Sequence, residues 1–108
     1  MFSTLIVARM DPGHTGSVAD IFKQFDSTEM PHLMGTRRRE LFRFHNLYFH
    51  LQDFVRPDGV STVENAKTDP RFIQVSADLR PFIEPFAPDW RSPKDAMAER
   101  FYHWEASS

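Results

Sequence analysis

The chain has 108 residues and a mass of 12.7 kDa, the size of one domain, because a single core stops growing only at roughly twice this length. Apolar residues make up 41% of the chain and aromatic residues 14%, which excludes a disordered protein. The formal net charge is −2, so no global charge recruits nucleic acid or an anionic membrane.

The first part of the chain predicts a strand followed by a helix. Residues 3–10 are rich in β-branched side chains and end at the turn signal Asp11-Pro12-Gly13, which indicates strand one. Four apolar residues then recur at the i, i+3, i+4, i+7 spacing of one helix face: Val18, Ile21, Phe22 and Phe25. Asp26-Ser27-Thr28 and the following Pro31 favour an end to this helix.

The middle of the chain predicts a β-hairpin. Residues 36–44 and 47–54 both alternate in polarity, and only His45 and Asn46 separate them; asparagine suits a tight turn that needs positive φ. A two-residue loop places Phe44, Phe42 and Glu40 opposite Leu47, Phe49 and Leu51 on one face. The other face pairs Arg43 with Tyr48, Leu41 with His50, and Arg39 with Gln52. We expect the phenylalanine face to be the core face.

The last part predicts two further helical stretches and a final strand. A short one lies around residues 61–67, and a longer one over residues 70–84 begins at the capping pair Asp69-Pro70. Residues 97–105 alternate in polarity and predict strand four. The resulting order is β-α-β-β-(α)α-β, the α+β, ferredoxin-like split βαβ pattern, with a four-stranded antiparallel sheet and helices on one face. Its open face favours a homodimer.

Several kinds of chemistry are excluded by residue counts. The chain has no cysteine, which excludes disulfides, thiolate metal sites and a cysteine nucleophile. The histidines form no HExxH motif or close pair, and the glycines form no phosphate-binding loop, so neither a metal nor a cofactor is expected. No apolar run approaches the ~20 residues of a membrane span and no signal peptide is visible, so we expect one soluble, cytoplasmic domain over residues 1–108.

The candidate chemistry lies on the hairpin face that carries Arg39, Leu41, Arg43, Tyr48, His50 and Gln52, which we call the polar row. For most of the residues in Arg37-Arg38-Arg39 and Arg43, a solvated strand is a better explanation than a functional role, and a nucleic-acid patch is a weak alternative, given the acidic balance. Arg39 has a sharper possibility, because a guanidinium beside apolar walls donates hydrogen bonds to an enolate or a polarised carbonyl. His50, with an ordinary pKa of about 6.5, is the best general acid or base in the chain, although a packed structural histidine is the alternative. Tyr48 either donates a proton or fills space.

The hairpin resembles a known family. Residues 36–51 (TRRRELFRFHNLYFHL) strongly resemble the aromatic polyketide cyclases, and the flanking segments agree in order over nearly the whole chain. These segments are residues 8–12 (ARMDP), 25–31 (FDSTEMP), 69–72 (DPRF), 85–90 (PFAPDW) and 99–104 (ERFYHW). The resemblance implies a homodimer of the dimeric α+β barrel type, acting without a cofactor in bacterial type II polyketide and antibiotic biosynthesis. Its implied reaction closes a later ring of a partly cyclised poly-β-ketone by intramolecular aldol condensation with dehydration.

The resemblance also implies site residues. The family's arginine and strand histidine align with Arg39 and His50, expected to be catalytic, and its acid aligns with Asp26. Asp26, Arg43, Tyr48 and Phe25 are the expected substrate-binding residues. Phe25 stands where a histidine precedes that acid in the family's typical member, so a His–Asp acid/base pair is impossible here.

Two other functions remain compatible with the sequence. One is a cofactorless monooxygenase on a related dimeric fold, which oxidises an anthrone-like polyketide. The other is a non-enzymatic accessory protein that guides polyketide folding in transient contact with the synthase complex. The hairpin motif favours the cyclase.

Overall fold

The computed structural model describes residues 2–57, 59–91 and 93–107 as a four-stranded antiparallel sheet with helices on one face. The strands are β1 (Phe2–Met10), β2 (Thr36–Phe44), β3 (Leu47–Phe54) and β4 (Ile83–Pro85), in the sheet order β2-β3-β1-β4. The helices are α1 (Thr15–Asp26), α2 (Met30–Met34), α3 (Gly59–Ala66) and α4 (Pro70–Leu79), with 3₁₀ turns at Pro12–His14 and Pro93–Ala96. The predicted α+β, ferredoxin-like fold is confirmed.

The hairpin of β2 and β3 has the predicted register. Arg39 lies opposite Gln52, and Leu41 and Arg43 lie opposite His50 and Tyr48. The loop differs in one detail, because its positive φ of 54° belongs to His45 rather than to the asparagine that follows. This register places every residue of the polar row on one face of the sheet.

The prediction that the phenylalanine face of the hairpin forms the core is wrong. Helix α1 packs over the other face, where Tyr48 and His50 are buried and the Phe22 ring lies 5.0 Å from the His50 ring. Phe42 and Phe44, on the opposite face, are 49% and 63% exposed. Arg39, His50 and Gln52 can be buried because they hydrogen-bond to one another and to Asp26 at the end of α1.

The predicted fourth strand over residues 97–105 is also wrong. The fourth strand is β4, which pairs with Ala8–Met10 of β1 and occupies that part of the edge. Further along the same edge, Met97 forms a single bridge with Ile6, and the Ala98 N–H donates to the Leu5 carbonyl at 2.7 Å. Residues 98–107 then leave the sheet and form no strand.

The second long helix is shorter than predicted. Helix α4 starts at Pro70, with the Asp69 carboxylate capping the Arg71 N–H at 2.8 Å, but it ends at Leu79 instead of residue 84. Pro81 has no N–H to continue the helical hydrogen bonds, and residues 83–85 pair with β1 instead. Because the helix ends early, Arg80 is the first residue after it and lines a cavity between the sheet and the helices.

The remaining helices precede and follow the hairpin in the chain. Helix α1 ends at Asp26 as predicted, whereas Pro31 does not simply stop a helix but stands in the first turn of the short α2. Helix α3 confirms the helical stretch predicted around residues 61–67. Within the three described ranges, no helix is long and apolar enough to cross a membrane.

Candidate functional site

A cavity of about 400 Å³ lies between the inner face of the sheet and helices α1 and α4. Most of its wall is apolar, from residues that include Phe22, Phe25, Phe72, Val75 and Leu79. Six polar or charged side chains interrupt this wall: Arg39, Tyr48, His50, Gln52, Ser76 and Arg80. An apolar cleft with a few placed polar groups is typical of a small-molecule site.

Arg39 is fixed on the cavity wall by a carboxylate behind it. Its Nε lies 3.0 Å from both oxygens of Asp26, and its Nη2 lies 2.9 Å from Oδ1. The end of α1 supplies Asp26, whose side chain is 38% exposed, whereas the arginine side chain is 8% exposed. This paired, charge-assisted geometry holds the guanidinium plane in one orientation and balances its charge.

Arg39 also contacts His50 and Gln52, both on β3. Its Nη1 lies 2.8 Å from His50 Nε2 and donates to Gln52 Oε1 at 3.3 Å. An arginine only donates hydrogen bonds, so His50 Nε2 accepts and the imidazole proton resides on Nδ1. Since Nε, both Nη1 hydrogens and one Nη2 hydrogen are engaged, one Nη2 hydrogen remains for a ligand.

His50 is a neutral imidazole in this environment. Burial, together with the positive charge of Arg39, lowers the pKa of His50 to about 3. At neutral pH the ring therefore offers a polar but uncharged group beside a fixed cation. In this state the ring can donate a hydrogen bond from Nδ1–H to a carbonyl oxygen of a ligand. It cannot act as an acid in its protonated, imidazolium form.

Tyr48 and the aromatic residues complete the wall around this pair. Burial raises the pKa of the Tyr48 phenol well above its usual value, with Arg39 opposing in part, so the hydroxyl keeps its proton. The guanidinium carbon of Arg39 lies 4.9 Å from the centre of the Phe22 ring and 5.6 Å from that of Phe25. Both contacts are cation–π interactions that stabilise the arginine in an apolar surrounding.

The structure brings together most of the residues proposed from the sequence. Arg39, His50, Tyr48 and Phe25 line one cavity, and Asp26 holds Arg39 from outside it. Arg43 lies elsewhere: it is exposed at the hairpin end, where its Nη1 donates to the His45 carbonyl at 3.1 Å.

Sequence analysis overlooked two features of the site. Gln52 Nε2 donates to Thr36 Oγ1 at 2.7 Å while its Oε1 accepts from Arg39, so it connects the arginine to the start of β2. The register already placed Gln52 opposite Arg39, which was the available signal. Arg80 had no such signal, because its position at the cavity depends on where α4 ends.

These observations define a ferredoxin-like α+β domain that encloses a mainly apolar cavity with a few polar side chains, the usual composition of a small-molecule site. A family model described as polyketide synthesis cyclase matches residues 2–105. The chain therefore belongs to the polyketide synthesis cyclase family, and the resemblance seen in its hairpin is confirmed.

Individual relatives agree over nearly the full length. Tetracenomycin F2 cyclase of Streptomyces glaucescens is 41% identical over 105 residues, which cover 97% of this chain and 95% of that protein. An uncharacterized protein of Streptomyces coelicolor is 46% identical over 107 residues, covering 97% of this chain and 96% of the relative. The solved structure of tetracenomycin F2 cyclase, a type II polyketide cyclase, matches with a TM-score of 0.92 at 40% identity, over 98% of this chain and 99% of that one.

Proposed function

We propose that this protein closes a later ring of a partly cyclised poly-β-ketone in type II polyketide biosynthesis, by intramolecular aldol condensation followed by loss of water. The observation that carries the proposal is the contact between the Arg39 guanidinium and the neutral His50 on the wall of an apolar cavity. A partly aromatic polyketide has a flat apolar body with ketone and phenol groups on its edge, which suits this wall.

The chemistry requires little beyond placement and charge stabilisation. A methylene between two carbonyls loses a proton to give an enolate, whose carbon attacks a second carbonyl and forms the new C–C bond. The alkoxide formed takes up a proton to give a hydroxyl group. The neighbouring carbon then loses a proton while the hydroxyl group leaves with a second proton as water, and the ring becomes aromatic by tautomerisation. Carbon–carbon bond formation and dehydration change no overall oxidation level, so no redox partner is required.

Each site residue has a role that follows from its hydrogen-bonding state. The free Nη2 hydrogen of Arg39 stabilises the developing enolate or alkoxide oxygen, a contribution typically worth about 10²–10³-fold in rate. His50 donates a hydrogen bond from its Nδ1–H to the acceptor carbonyl oxygen and keeps this proton, because a neutral imidazole with so low a pKa neither takes up a second proton nor releases its only one near neutral pH. Asp26 fixes the arginine, and Tyr48 and Phe25 shape the pocket.

We also propose that the active form is a homodimer. The outer face of the sheet has Phe42 and Phe44 largely exposed, whereas the cavity and the helices of the described residues lie on the other face. A second copy that covers this face would remove both rings from water.

The test is turnover of an isolated intermediate. Purified protein is incubated in air, without added cofactor, with a partly cyclised aromatic polyketide, and product mass is compared with a control lacking enzyme. We expect a catalysed loss of one water. Arg39→Ala should lower the rate about 10²–10³-fold, whereas Arg37→Ala, the same change at an exposed position of β2, should not.

The alternatives give different products. A gain of oxygen would contradict the cyclase proposal in favour of a cofactorless monooxygenase. Ring closure only when the synthase is present would indicate an accessory protein that acts on the synthase complex. Near-normal turnover by Arg39→Ala, with folding intact by circular dichroism, would show that Arg39 is not catalytic.

A further inference from the structure

The turn between α1 and α2 carries a second carboxylate beside the one that holds Arg39. Asp26 ends α1 and pairs with Arg39, and Glu29 lies three residues further on, directly before α2. The turn is hydrogen-bonded within itself, since the Thr28 hydroxyl and the Thr28 N–H donate to the Phe25 carbonyl at 2.7 and 3.1 Å. We expect a segment this short and this well bonded to move as one unit, so that the position of Glu29 affects the position of Asp26.

Arg71, in the first turn of α4, is bound to this turn from a distant part of the chain. Its Nη1 donates to Glu29 Oε1 at 2.9 Å. Its Nε and Nη2 each lie 3.3 Å from an oxygen of Asp69, whose carboxylate also caps the Arg71 N–H. These hydrogen bonds lower the pKa of Asp69, which stays ionised and holds the guanidinium in place. Arg71 therefore joins the start of α4 to the turn that follows α1.

Both of the joined elements line the cavity. Phe72, next to Arg71 in α4, and Phe25, in the last turn of α1, are wall residues. The ion pair itself lies outside the wall, with 39% of the Arg71 side chain and 68% of the Glu29 side chain exposed. A pair this exposed contributes little to folding stability, because water and salt screen its charges. Its position between two elements of the cavity wall favours an effect on geometry instead.

We propose that Arg71 is a positioning residue, which acts through the turn between α1 and α2 to hold Asp26 against Arg39 and so to fix the Arg39 guanidinium on the cavity wall. The effect of Arg71 on rate rests on the proposed cyclase function, but its effect on Arg39 can be measured without turnover. The proposal also gives a role to two segments of the family resemblance, because Glu29 lies in residues 25–31 (FDSTEMP) and Arg71 in residues 69–72 (DPRF).

The experiment compares variants at both ends of the ion pair. Arg71→Ala and Glu29→Ala each remove it, their combination removes both partners, and Arg71→Lys keeps a charged donor. Gln74→Ala is the matched control, because it breaks an exposed hydrogen bond of 2.8 Å that lies within α4. Glu29→Ala changes an exposed side chain, so the test stands even where Arg71→Ala fails to fold.

Three quantities are measured for each variant: stability in urea, kcat and KM on a partly cyclised aromatic polyketide, and the exchange rate of the Arg39 Nε hydrogen. The last is read by NMR on protein labelled with ¹⁵N-arginine, and the Arg39 signal is identified by its loss in Arg39→Lys. This hydrogen reports directly on the contact with Asp26, since Nε lies 3.0 Å from both of its oxygens.

We expect Arg71→Ala and Glu29→Ala each to speed exchange of the Arg39 Nε hydrogen about two- to fivefold, the equilibrium factor of a partly exposed ion pair. The value of kcat should fall by a similar factor with little change in KM, because Arg39 stabilises charge that develops in the transition state. Arg71→Lys should lose less, and Gln74→Ala should change neither quantity.

The double variant and added salt test the pair itself. Because Arg71 and Glu29 act through one contact, the combined variant should be no worse than either single variant. Salt should speed the exchange in the native protein, since it screens the exposed charges, and should have less effect in Arg71→Ala.

An unchanged exchange rate of the Arg39 Nε hydrogen in both Arg71→Ala and Glu29→Ala would overturn the positioning role. A loss of stability in urea without any change at Arg39 would also overturn it, because Arg71 would then be purely structural. If the exchange rate responds as expected but neither the native protein nor any variant converts the polyketide, the positioning of Arg39 stands and the cyclase proposal is wrong.

Discussion

Arg39 determines the state of His50 through one hydrogen bond. The guanidinium has only hydrogens to offer, so the contact of 2.8 Å to Nε2 selects the Nδ1–H tautomer and disfavours a second proton on the ring. Its positive charge acts in the same direction as burial, and both lower the pKa of His50. The cluster therefore converts a titratable residue into a permanently neutral donor near physiological pH.

This state predicts a distinct pH dependence. The His50 pKa is about 3 in the folded chain and about 6.5 when unfolded, so as pH falls below 6.5 the unfolded chain binds the proton first. The free energy of unfolding is then lost between pH 6.5 and 3, by at most about 1.4 kcal/mol per pH unit. His50→Gln should flatten this fall in urea titrations. Imidazole ¹⁵N shifts of His50 should stay constant from pH 8 to 5, and a ring titration near pH 6.5 would contradict the assignment.

Gln52 is expected to act as a positioning residue for Arg39. Gln52→Leu removes the acceptor of one Arg39 hydrogen and the donor to Thr36, so we expect kcat to fall about tenfold, with a smaller change in KM. Gln52→Glu places a carboxylate beside the cluster and should raise the pKa of His50, measured by ¹⁵N shifts. A purely structural role would lower stability in both variants and leave the His50 shifts of Gln52→Glu unchanged.

At the scale of elements, local sequence patterns predict which residues pair between strands better than they predict which face of the sheet is buried. The hairpin register followed from two alternating segments and a two-residue loop, which leave little choice of partner. The buried face did not follow, because it depends on Asp26 from α1 reaching Arg39 and on the partners inside the polar row. Polarity alone marked that face as exposed, but the hydrogen bonds of Arg39 to Asp26, His50 and Gln52 allow it to be a core face.

The same distinction applies to the site. Arg39, His50 and Asp26 were found because their motif is local or resembles a family, and the structure places them in contact. The position of Arg80 on the cavity wall depends on the length of α4 and on the edge that β4 occupies, which are set by packing across the whole sheet. Sequence periodicity does not contain this information.

A pair of glycines tests how α2 is joined to the sheet. Gly35 ends α2 with a φ of 73°, and an added Cβ would lie 3.1 Å from Val55 Cγ2, whereas a Cβ on Gly16 in the first turn of α1 meets nothing within 4 Å. Gly35→Ala should lower the free energy of unfolding by about 1–2 kcal/mol. Gly16→Ala should raise it by about 0.5–1 kcal/mol, as measured by urea denaturation. Equal effects in the two variants would show that the left-handed turn is not required.

At the scale of the molecule, the exposed apolar surface includes two places that bear on assembly. One is the outer face of the sheet, with Phe42 and Phe44, and the other is the chain end, where the Phe101 side chain is 95% exposed. Residues 97–105 alternate like a strand, yet β4 and the Met97 bridge already occupy the edge of β1 in the same chain. Both features are explained if the sequence is adapted to an assembly larger than one chain.

The homodimer can be tested by charging the outer face of the sheet. Sedimentation equilibrium of the native protein should give twice the chain mass of 12.7 kDa. Phe42→Glu combined with Phe44→Glu should give the single-chain mass, because both positions are exposed on one strand, and burying unpaired carboxylates between two copies is costly. Leu33→Glu, which charges an equally exposed apolar position on the helical side, should remain dimeric.

A double variant that keeps the native mass would show that this face is not the interface. A native protein of single-chain mass would overturn the dimer itself, and the Arg39–His50 cavity would then have to be complete within one chain.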